Sequence, residues 1–155
     1  MDKAYRNTAI FMVLVILGVQ WGFYSHYISQ FPTFKDQVPM DHIHGILMMA
    51  WMVLLVIQPL LIASGKAHIH RTVGKVSYVL GPLIIISLFL IGKTGYLNGV
   101  RMNDPINVVN AVAVLDIRGF FSFPVFWSLA MINRKNSSSH MRYMIGTGIL
   151  GIGPG

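Results

Sequence analysis

Six histidines stand in a chain of 155 residues that contains no cysteine. Four of them form two pairs, His42-x-His44 and His68-x-His70, one at each end of an apolar run. Imidazole titrates near neutral pH and ligates metals through a neutral nitrogen, so these positions point to proton, metal or redox chemistry. Without cysteine, thiolate sites and Cys-attached haem are excluded, and any metal or haem iron must be held by His, Met or oxygen ligands. Residues two apart on a helix diverge, so only one member of each pair can serve a shared site. His44 is the useful one at its end, because His44, Trp51 and Gln58 fall seven residues apart on one helix face. That face should look into the protein, since the Gln58 amide needs a partner in hydrocarbon. His42 and His68 read as solvated or headgroup-level residues.

At the other end His70 and Arg71 open one apolar segment, and His140 with Arg142 opens another. Two imidazoles facing each other across a bundle are what axial haem b ligation requires. They would equally suit a divalent metal completed by a carboxylate or water. The competing reading places His70 and Arg71 at headgroup level beside anionic lipids. A second group, on the opposite side, comprises His26, His44, Asp116 and Arg118.

The elements that must position these groups are membrane helices. Apolar residues make up 54% of the chain and charged ones only 11%, against about 25% charged in soluble domains. Several apolar runs approach the roughly 20 residues needed to cross a bilayer. The sequence predicts an all-α integral membrane bundle forming a single domain over 1–155, with spans at about 8–28, 43–64 and 76–97. A fourth follows at 117–132 or 106–132, and an incomplete fifth at 143–155. Asp41 stands where an N-cap of the second span is expected. Lys66 to Lys75 reads as a short basic loop. The shortness of the fifth stretch leads us to expect a C-terminally truncated chain.

Asp116 and Arg118 make the fourth span ambiguous. Each charge at the centre of a membrane helix costs roughly 2.5–3.5 kcal/mol. The favoured reading therefore starts the span at about Ile117 and leaves 106–115 as an interfacial helix. Lys3, Arg6, Lys66, Arg71, Lys75, Arg134, Lys135 and Arg142 fall on one side, against Lys35, Lys93 and Arg101 on the other. By the positive-inside rule this puts the N-terminus in the cytoplasm. The same clustering explains the net charge of +7 as orientation and not as nucleic-acid binding. Gly146-Thr-Gly148-Ile-Leu-Gly151 matches a nucleotide-binding pattern, but no strand precedes it, so helix packing is expected there. Gly18-x-x-x-Gly22 offers a small-residue face for helix association.

His44, His70-Arg71-x-x-Gly74 and His140-Met-Arg142-Tyr143-Met144 together resemble a group of small bacterial predicted membrane proteins classed as a domain of unknown function. The resemblance covers about residues 40 to 155, where the pattern closes near Pro-Gly. It implies a bacterial inner-membrane bundle with His44, His70 and His140 as the positions to carry over, and it implies no reaction. Similarity to cytochrome b561-like bundles is looser and rests on histidines at helix ends. Three functions follow as expectations. One is a redox or metal protein using His70, His140, His44 and His26. Another is an accessory subunit with helix-packing partners or copies of itself. The last is a transporter using His44, Gln58, Asp116 and Arg118 as a polar track.

Overall fold

A computed structural model describes residues 3–35 and 37–152. Among them are six α-helices: α1 Lys3–Gly22, α2 Pro39–Ala63, α3 Ala67–Gly74, α4 Ser77–Arg101, α5 Ile106–Ile132 and α6 Ser137–Ile149. No strand occurs among the described residues. Four segments are long and apolar enough to cross a membrane: α1, α2, α4 taken together with α3, and α5. Asp36 and the Pro154-Gly155 end lie outside the described residues.

Local sequence sets the helix ends. α2 begins two residues before Asp41, with Pro39 in the first turn, where a missing N–H costs nothing. Asp41 is therefore not the N-cap, and its carboxylate instead accepts from the Val38 N–H at 2.8 Å. α2 stops at a glycine in the left-handed region, Gly65 with φ 74°. The Gly65 N–H reaches the Ile62 carbonyl and Lys66 N–H the Leu61 carbonyl, which satisfies the last turn. α4 ends in the same way at Asn103, φ 57°, with Pro105 just beyond. α6 is capped by Asn136, whose side chain accepts from the Ser139 N–H at 3.2 Å.

Two expected elements are corrected. Residues 66–75 are not a loop, because 67–74 fold into α3 with Val73 packed on the core. Residues 106–132 form one unbroken helix with no interruption before Ile117. At 1.5 Å per residue, Asp116 and Arg118 stand roughly 24 and 21 Å from Ile132. Arg118 is thus close to the midpoint of α5, where its side chain is exposed on the helix surface. Asp116 finds room against Gly92, where an added Cβ would stand 3.1 Å from the Asp116 Cβ.

α2 is the central helix, packing on α1, α3, α4 and α6, while α5 packs on α4 and α6. The core joins Met12 and Val15 of α1, Trp51, Met52, Leu54 and Leu55 of α2, Leu80 and Ile84 of α4, and Phe123 of α5. Small residues seat large neighbours across the helix seams. A Cβ on Gly81 would meet the Trp127 ring at 2.7 Å, and one on Gly148 would meet Met12 and Leu55. The Gly146–Gly151 stretch is thus a packing surface against α1, α2 and α5. Gly18, in contrast, has no neighbour within 4 Å, so its face of α1 is not used inside the chain.

Replacing Gly81 by Ala should destabilise the bundle by about 1–3 kcal/mol, the usual cost of overpacking a tight seam. Adding Trp127→Leu should recover part of the loss. Unfolding midpoints in mild detergent measure both, and an unchanged midpoint for G81A would contradict the seam described here.

Candidate functional site

Every polar side chain of the α2 stripe is tied to a different neighbouring element. His44 Nδ1 lies 3.0 Å from the Ser87 hydroxyl of α4, and that hydroxyl donates to the Ile84 carbonyl at 2.8 Å. Trp51 Nε1 donates to Thr147 Oγ1 of α6 at 2.9 Å, with both residues buried. Gln58, also buried, reaches α3. Backbone polarity fixes its amide there, because the Gly74 N–H only donates and the His70 carbonyl only accepts. Gln58 Oε1 accordingly accepts from Gly74 N at 3.2 Å, and Nε2 donates to the His70 carbonyl at 3.1 Å and also to His70 Nδ1. With Nδ1 accepting, a neutral His70 carries its proton on Nε2.

His140 is held the opposite way. Its Nδ1 stands 2.8 Å from the Ala130 carbonyl, near the end of α5, where carbonyls lose their intrahelical partners. A carbonyl only accepts, so Nδ1 carries the proton and Nε2 keeps its lone pair. His70 therefore offers a donor and His140 an acceptor, and both line one cavity of about 810 Å3 at the basic end of the bundle. Its apolar floor includes Met12, Leu54, Leu55, Met144 and Ile145. Its rim carries Arg71, Lys75, Arg134 and Lys135, and among the described residues no acidic one lines it. Arg134 is steadied by a 3.0 Å hydrogen bond to the Tyr78 hydroxyl.

The remaining expected site residues disperse. His26 lies exposed in the turn after α1, with Nδ1 3.0 Å from the Ser25 hydroxyl. It is not on the first membrane helix, which ends at Gly22. His42 is packed in a ring of aromatics, bonded to the Tyr27 hydroxyl and set edge-on to Tyr27 and Phe34. Asp116 lines a separate, largely apolar groove between α4 and α5 with Lys93 and Tyr96. Arg118 and Arg142 are exposed and line neither cavity. The polar track of His44, Gln58, Asp116 and Arg118 does not converge, since only Gln58 reaches the basic cavity. Sequence reasoning missed the roles of Ser87, Thr147 and Tyr78. Small hydroxyls are ordinary in apolar helices, and only Trp51 and His44, each needing a partner, signalled them.

The haem and metal readings can be tested on these hydrogen bonds. His140 suits a ligand, because its distal nitrogen is anchored to a carbonyl and Nε2 is free. His70 does not, because the Gln58 amide fills Nδ1 and leaves Nε2 protonated. The pair therefore does not fit bis-imidazole haem ligation. Among the described residues no three His, Asp or Glu side chains gather as a metal-holding group.

Two measurements check this arrangement. Nitrogen-15 NMR of imidazole-labelled protein should show His70 protonated on Nε2 and His140 on Nδ1; the same tautomer at both would contradict it. Gln58→Leu removes the amide contacts to the Gly74 N–H and the His70 carbonyl, at about 0.5–1.5 kcal/mol per hydrogen bond. Amide exchange in α3 should accelerate about tenfold or more, with α4 little changed. Comparison of the chain with family profiles, curated proteins and solved structures gives no match.

Proposed function

We propose that the chain is a multi-pass protein of a bacterial inner membrane that receives an amphiphilic molecule in its basic-end cavity. The single observation behind this is the lining of that cavity. An apolar floor formed by α1, α2 and α6 leads to a rim of four cations, with a donor histidine and an acceptor histidine beside them. Such a lining matches a molecule with an apolar tail and a compact polar head, and it is the usual composition of a small-molecule site. The preponderance of Lys and Arg at this end supports a cytoplasmic orientation for it, with the N-terminus inside. The histidine motifs support the likeness to the small bacterial membrane proteins of unknown function. The bis-imidazole haem reading is not carried forward, for the tautomer reason given above.

Native mass spectrometry of the protein purified in mild detergent should show one bound amphiphile, released by organic extraction. Met141→Trp, which adds bulk to the cavity lining, should lower its occupancy several-fold with little change in unfolding midpoint. A wild-type protein carrying no adduct, or equal occupancy in M141W, would overturn the proposal.

A further inference from the structure

We infer that the head taken by this cavity is a phosphate monoester carried on a lipid tail, an assignment that rests on the amphiphile reading above. Hydrogen-bond capacity decides the head. Arg71, Lys75, Arg134 and Lys135 offer only donors. His70 adds another through Nε2, because the Gln58 amide occupies its Nδ1. Against these stands one imidazole acceptor, His140 Nε2, freed because the Ala130 carbonyl holds Nδ1. Among the described residues no carboxylate lines the cavity to neutralise the cations internally.

A matching head therefore has several charged acceptor oxygens. A phosphate monoester has three such oxygens, a charge of about −1.5 to −2 near neutral pH and a second pKa of about 6. It meets the four cations with three oxygens and close to two negative charges. A phosphodiester brings less charge and one fewer free oxygen to the same cations. A zwitterionic head would bring a further cation against four already present. Arginine forks fit phosphate oxygens two at a time, and Arg134 is already placed by Tyr78.

The test titrates the whole chain in detergent with phosphatidic acid, phosphatidylglycerol and phosphatidylcholine of one acyl composition, and with inorganic phosphate. Bound ligand is read by native mass spectrometry. Phosphatidic acid should bind about tenfold or more tighter than phosphatidylglycerol, a difference of about 1.4 kcal/mol, with phosphatidylcholine weakest. His140→Asn should narrow that preference. The double variant Arg71→Gln/Arg134→Gln should weaken phosphatidic acid about tenfold. Both arginines are exposed, so this variant keeps the test open if H140N fails to fold. Equal wild-type affinity for phosphatidic acid and phosphatidylglycerol would overturn the monoester assignment and leave the amphiphile reading standing. Failure of every lipid to bind would remove both. Displacement of phosphatidic acid by inorganic phosphate at equal concentration would assign the site to a soluble anion and overturn the lipid tail.

Discussion

Hydrocarbon offers no hydrogen bonds, so every polar group carried into it must be satisfied within the protein. α2 carries three such groups on one stripe, and the bundle is arranged around their needs. His44 requires α4, Trp51 requires α6 and Gln58 requires α3. Each bond fixes a neighbour at a different height, which makes α2 a template as well as a span. Apolar packing among Met12, Leu55, Ile84 and Phe123 then fills the space, but it is non-directional and would tolerate other registers. The polar stripe does not.

The lowest contact of this stripe also shapes the site. A backbone N–H and a backbone carbonyl of α3 orient the Gln58 amide, the amide orients the proton of His70, and the α5 carbonyl does the same for His140. The chemistry offered to the cavity is thus set by groups that cannot titrate. This is why two histidines that look equivalent in the sequence differ in the structure.

The all-α class, the four long apolar helices and the inward face of His44, Trp51 and Gln58 were legible because each rests on periodicity or on the cost of an unpaired amide. α3 was overlooked because His68 and Arg71 within it and Lys66 and Lys75 at its two ends give the segment the look of a basic loop. Its inward residues Ile69, His70, Val73 and Gly74 nevertheless follow helical spacing. The unbroken α5 was misjudged for a different reason. The insertion cost of Asp116 and Arg118 argued for a break there, whereas the helix continues, with Gly92 making room for one and the other exposed on its surface. The opposite tautomers had no sequence signal at all, since they depend on which carbonyl or amide a distant helix supplies.

The seam between α4 and α5 differs in kind from the contacts of α2. Within their helical spans no hydrogen bond crosses it among the described residues, and glycines seat its large side chains. The buried Trp127 Nε1 finds no acceptor there. Separating α2 from its neighbours would strand polar groups in lipid, while separating α5 from α4 strands none that is now satisfied. Opening the bundle along this line breaks no hydrogen bond of the helical spans among the described residues, and acyl chains can replace the lost contacts.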